Sequence, residues 1–160
     1  MTDALSQKER EAHEGFAKQL HGKTWLLVEK PDRDGLETET MIHAAHASCY
    51  HWLQSGTGVH HQRGIWLIAR AYTVAGRAAQ AVFYANRCQE LTEEHKEVLE
   101  DFDLAFAEEC IARASALAGD KTKALKHIET ARAKGEEIAE PEDREIFIKE
   151  LGGGEWYGIL

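Results

Sequence analysis

Proline is almost missing from this chain: only Pro31 and Pro141 occur among 160 residues. Long stretches are therefore free of the residue that most strongly interrupts a helix. Cysteine is scarce and odd in number, and Cys49, Cys88 and Cys110 each fall in a helical apolar pattern. That argues against a disulfide framework and predicts reduced core thiols, as in a cytoplasmic protein. No apolar run approaches the roughly 18 residues that mark a membrane span. The polar opening MTDALSQKEREAHEG has no apolar centre of a signal peptide. Positive charge is in deficit, with a formal net charge of -9. With no basic face to offset phosphates, nucleic acid is excluded as a partner. No Gly-rich loop follows a strand, and the HExxH pattern of zinc proteases is absent. No segment sustains a period of two, so no strand is expected.

What remains is rich in Ala, Glu, Leu and Lys, a composition that favours helix. The chain fits one all-α domain with about seven helices, over 6–29, 35–54, 59–75, 78–91, 102–117, 121–134 and 141–151. Ser6 with Glu9, and Asp34 with Glu37, have the spacing of capping boxes. Gly22 invites a kink or a break in the first helix. Pro31 ends that helix, Asp120 caps the sixth, and Pro141 opens the last. The acidic stretch 92–100 is expected as a loop or frayed turn, with His95 on a solvated surface. After Gly152-Gly153-Gly154, the aromatic and aliphatic tail Trp156-Tyr157-Gly158-Ile159-Leu160 is expected to fold back as a cap or to pack on a second copy.

One pattern occurs twice. Ile65-Trp66-Leu67-Ile68-Ala69-Arg70-Ala71-Tyr72-Thr73-Val74-Ala75-Gly76 is followed by Ala81, Tyr84 and Leu91. Cys110-Ile111-Ala112-Arg113-Ala114-Ser115-Ala116-Leu117-Ala118-Gly119 is followed by Ala124, Ile128 and Ala131. Small residues stand where two helices approach closely, and a Gly stands in the turn between them. This half of the chain resembles tetratricopeptide repeats, at Ile68, Ala69, Tyr72, Gly76, Ala81 and Tyr84, then at Ile111, Ala112, Gly119, Ala124, Ile128 and Ala131. Cys88 and Ser115 depart from the family pattern. The turn glycines are 43 residues apart, against about 34 in that family, and the acidic insertion accounts for the excess. The resemblance implies a right-handed stack of antiparallel hairpins whose concave face binds peptides, and it carries over no catalytic residue. It divides the chain into a divergent pair over 6–55, repeat-like pairs over 59–91 and 102–134, and a capping helix and tail over 141–160. The stretch from Ala45 to Trp52, with Arg63-Gly64 and Asp101-Phe102-Asp103, also resembles an uncharacterised bacterial family to which no activity is attached.

Two sets of residues carry the functional expectations. Arg63, Trp66, Arg70, Phe106, Glu109 and Arg113 lie on the first helices of the repeat-like pairs, the inner helices of such stacks, and form the expected partner surface. Trp52, Trp66, Phe102 and Phe106 could line a pocket between helices or simply form core. The second set is polar: His43, His46 and His51, with Asp101 and Asp103 as partners. At about 100° per residue, His43 and His46 share a stripe while His51 points about 140° away from His46. One helix therefore cannot bring all three to one ion, and a metal would need His43 and His46, with or without Glu39, plus a carboxylate from Asp101, Asp103, Glu108 or Glu109. A His46–Asp103 or an Arg63–Asp101 pair is the expected contact, and a buried His–Asp pair would raise the His pKa. No activated nucleophile accompanies them, so no catalytic residue and no cofactor is assigned. The favoured reading is a non-enzymatic interaction module for a protein or peptide, with dimerisation open. The alternative is a small metal-dependent enzyme or metal-binding protein.

Overall fold

The computed structural model describes residues 4–160; the first three residues of the polar N-terminal stretch lie outside it. Among the described residues there are seven helices and no strand: α1 (Gln7–Glu29), α2 (Gly35–Ser55), α3 (Gly58–Val74), α4 (Ala78–Glu94), α5 (Asp101–Leu117), α6 (Lys121–Glu136) and α7 (Pro141–Gly152). None is long and apolar enough to cross a membrane.

Local chemistry sets most of the ends. Ser6 and Glu9 exchange the bonds of a capping box at α1, and Asp34 and Glu37 do the same at α2. His60 Nδ1 accepts from Thr57 N at α3, and Asp103 Oδ2 accepts from Glu100 N at α5. Asp120 accepts from Lys123 N at α6, and Pro141 stands in the first turn of α7. The turns after α3 and α5 are built alike. Gly76 and Gly119 take φ of 70° and 81°, a region that glycine enters without a Cβ penalty. Arg77 N reaches back to Tyr72 O, and Asp120 N to Ser115 O, each at 2.9 Å. These are Schellman closures in both members of the repeated pattern.

Two expectations need correction. Gly22 does not break α1, which is continuous from Gln7 to Glu29. Ala17, Thr24, Leu27 and Val28 are all buried along it, and that burial outweighs the ~1 kcal/mol helix penalty of a glycine. His95 is not a solvated surface group. It ends α4 half-buried, its ring pressed on Gly58 so closely that a Cβ there would overlap the imidazole.

Consecutive helices pack against one another as hairpins. In addition α1 packs on α3, α3 on α5 and α5 on α7, while the even-numbered helices meet only through side chains, as His46 on α2 meets Tyr84 on α4. The odd helices thus form one layer and the even helices another. Two buried clusters fill the stack, one centred on Met41, Ile68 and Leu91 and the other on Ile128, Ile138 and Phe147. A small-residue cluster joins them through Ala69, Ala81, Ala85 and Ala114, where the backbones of α3, α4 and α5 come close.

The tail folds back as a cap. Trp156 is buried against α5 to α7, and its indole donates to Leu151 O. Tyr157 continues across the odd-helix layer, and its hydroxyl donates to Thr73 O on α3 at 3.2 Å.

Candidate binding groove on the odd-helix face

The odd layer encloses a groove of about 410 Å³, a size typical of ligand sites. Each helix presents residues one turn apart, the spacing that puts side chains on one face. From α1 come His21, Trp25 and Glu29; from α3 Gln62, Arg63 and Trp66; from α5 Phe102, Asp103 and Phe106; from α7 Ile146 and Glu150.

The aromatic walls are continuous. Trp25 and Trp66 lie 5.5 Å apart, Trp66 meets Phe106 edge-on at 5.7 Å, and Phe106 meets buried Phe147 at 4.9 Å. The indole of Trp66 is anchored to Phe106 O at 3.2 Å. Trp25 Nε1 donates to His21 Nε2 at 3.0 Å, which makes that nitrogen an acceptor. Burial, reinforced by the Arg63 charge, lowers the His21 pKa below its ordinary value and keeps the ring neutral.

Arg63 forks onto Asp103, with Nε to Oδ1 at 2.8 Å and Nη2 to Oδ2 at 2.7 Å. Its guanidinium also lies over Phe102, 5.1 Å from the ring centre. The bidentate pair holds α3 to α5 at the groove floor. Beside it Gln62 is almost wholly buried at 1% exposure. Its amide nitrogen donates to Thr92 Oγ1 on α4 at 2.9 Å, while Oε1 has no partner among the described residues.

The expected partner surface divides in two. Arg63, Trp66 and Phe106 line the groove. Glu109 and Arg113, each 2% exposed, do not face a partner. They form a buried ion pair under the tail. Arg113 also donates to the carbonyls of Glu150, Gly153 and Glu155 and stacks over the Trp156 ring at 4.1 Å. Arg70 stands between them, largely buried, reaching Glu109 at 3.5 Å and Glu150 at 3.7 Å. The repeat-equivalent arginines have therefore separate roles, because the tail covers one of them.

The polar cluster is not brought together. His43 is exposed and approaches only Glu39, at 3.7 Å. His46 packs between Tyr72 and Tyr84 and bonds the Tyr72 hydroxyl at 3.0 Å, not Asp103. His51 pairs with His13 on α1, Nδ1 to Nδ1 at 2.7 Å. Asp103 is taken by Arg63, and Asp101 accepts from Ala139 N at 2.8 Å. Among the described residues no three His, Cys, Asp or Glu side chains form a group that could hold a metal ion. A His–carboxylate pair does exist elsewhere, His127 with Glu108 at 2.6 Å. Of the pocket aromatics, Trp52 lies outside the groove and stacks on His60 at 4.1 Å.

The thiols offer no nucleophile either. All three cysteines are free and buried. Burial pushes Cys49 up to about 11, Cys88 up to about 12 and Cys110 well above its ordinary value. A protonated thiol is a poor nucleophile.

Histidine titration gives a testable consequence. Burial is the first cause of a lowered pKa at His21, His46, His51, His60 and His61. For each, the unfolded chain binds its proton near pH 6.5 and the folded chain only at lower pH. The folded state therefore binds fewer protons between those values, and its stability falls as pH drops through 6.5. Urea midpoints should be level at pH 7 to 8 and decline from pH 6.5 towards 5. His46→Gln, which keeps a hydrogen-bonding group for Tyr72, should flatten part of that slope. A flat profile between pH 7 and 5 would refute this account.

His21, Trp25, Glu29, Gln62, Ile146 and Glu150 were not among the expected site residues. The signal for α1 was present, since His21 and Glu29 flank Trp25 at i−4 and i+4 and mark a polar-edged face. Trp25 reads as core because it opens the apolar run Trp25-Leu26-Leu27-Val28.

Comparison with protein-family models, with curated proteins and with solved structures finds no match to this chain.

Proposed function

We propose that this protein is a non-enzymatic interaction module that takes a peptide segment of a partner protein into the odd-helix groove. The observation that carries the reading is the joint construction of the groove: four helices contribute Trp25, Trp66, Phe102, Phe106 and Ile146 to one open, largely apolar cleft with a charged rim. Grooves of that make are the usual receptors for extended or helical peptides. The two-layer packing and the paired Gly76 and Gly119 turns support the tetratricopeptide resemblance, in which the inner helices form the binding face. Arg63 and Asp103 at the floor are engaged with each other and serve to position the walls.

The test is a randomised library of 12-residue peptides displayed on phage and panned against the full chain. Clones should be recovered that bind the protein, and Trp66→Ala should weaken them at least about tenfold, the loss expected for a central aromatic anchor. Circular dichroism on the variant checks that the helices persist. Failure to recover clones, or clones that bind wild type and Trp66→Ala alike, would overturn the proposal.

A further inference from the structure

The groove also has a preferred sign of charge. Its lining carries three carboxylates, Glu29, Asp103 and Glu150, against the single guanidinium of Arg63. Arg63 is already satisfied by Asp103, and its face is covered by Phe102. Glu29 has no ion-pair partner among the described residues, and Glu150 has only a distant one, Arg70 at 3.7 Å. Two carboxylates at the rim are thus left able to receive a cation. The indole rings of Trp25 and Trp66 line the same groove, and an aromatic wall with carboxylates at its edge favours an ammonium or guanidinium. The net charge of -9 draws basic ligands in and repels acidic ones.

We infer that the occupant of the groove is a basic peptide, which places a lysine or arginine side chain between Glu29 and Glu150 and an adjacent apolar residue against Trp25 and Trp66. This rests on the peptide-binding reading above and adds the chemistry of the partner. The apolar neighbour fills the aromatic cleft, and the cation meets the two rim carboxylates. An acidic segment would meet the same carboxylates as repulsion.

The experiment uses the peptides recovered by panning, made synthetically and titrated by fluorescence anisotropy against the full-length protein. Each is compared with versions in which Lys or Arg is replaced by norleucine or by glutamate. The expected result is enrichment of basic residues, a loss of at least about tenfold with norleucine, and no measurable binding with glutamate. Glu29→Gln and Glu150→Gln should each weaken the parent peptide several-fold and leave the norleucine version unchanged, which a structural role would not do. Recovered peptides that depend on Trp66 but show no basic enrichment, or that lose less than about twofold with norleucine, overturn this inference and leave the binding reading intact. Concentration-dependent self-association that Trp66→Ala abolishes and the peptides cannot displace would assign the groove to a second copy of the chain, and would also overturn it. Recovery of no peptide at all would remove the binding reading, and this inference with it.

Discussion

Arg113→Ala is expected to be among the most damaging single substitutions in the chain, costing about 3–5 kcal/mol, the range for removing one partner of a buried ion pair. Glu109 would be left charged and enclosed at 2% exposure, with only Arg70 at 3.5 Å to face it. The carbonyls of Glu150, Gly153 and Glu155 would lose their shared donor, and the Trp156 ring its cation. The effect should appear as a lower urea midpoint together with faster proteolysis after Gly152. Arg113→Lys keeps the charge but lacks the planar fork that reaches several acceptors, so it should fall between wild type and alanine. A loss below about 1 kcal/mol for Arg113→Ala would show that the tail is not held this way. The consequence for binding is indirect: Arg113 does not line the groove, so any effect on peptides should track the loss of fold.

Phe147 is the second site. Its side chain is fully buried where α6, α7 and the groove aromatics meet, and Phe147→Ala should cost about 3–5 kcal/mol. The neighbour across the contact is Gly135, where a Cβ would overlap the Phe147 ring. Gly135→Ala alone should therefore destabilise by about 1–3 kcal/mol, through overpacking. In the Phe147→Ala background the sign should reverse. The ring is gone, the new methyl enters the vacated space, and alanine is a better helix former than glycine by about 1 kcal/mol. A double-mutant cycle measured by thermal or urea unfolding reads this coupling directly. Additive effects would refute the clash.

The pattern of what could be read from sequence follows the range of the interactions. Helix ends were legible because a cap is decided within four residues: Ser6 with Glu9 and Asp34 with Glu37 stand as expected. The repeated turns were legible for the same reason, since Gly76 and Gly119 need only local backbone freedom. The all-helical class followed from composition and period. Within the groove, Arg63, Trp66 and Phe106 could be picked out because the repeat resemblance implies that the first helix of each pair is an inner one. What failed is long-range. Arg113 looks like Arg70 in sequence, and only the return of the tail from 37 to 42 residues away buries it. His46 pairs with Tyr72 and not with the expected Asp103, because the placing of α3 against α5 gives Asp103 to the bidentate fork of Arg63. The contribution of α1 and α7 to the groove needed the odd helices to share a layer, which no local signal states.

The three buried thiols give the molecule an internal set of reporters. Cys49 sits on α2, Cys88 on α4 and Cys110 on α5, so each thiol belongs to a different helix of the stack. None can meet a reagent until its helix moves away from its neighbours. Labelling rates at the three positions therefore measure opening free energies at three places in one unmodified chain. They would tell whether the stack unzips from one end or gives way as a unit, a distinction on which the cooperativity of any stacked-helix protein turns.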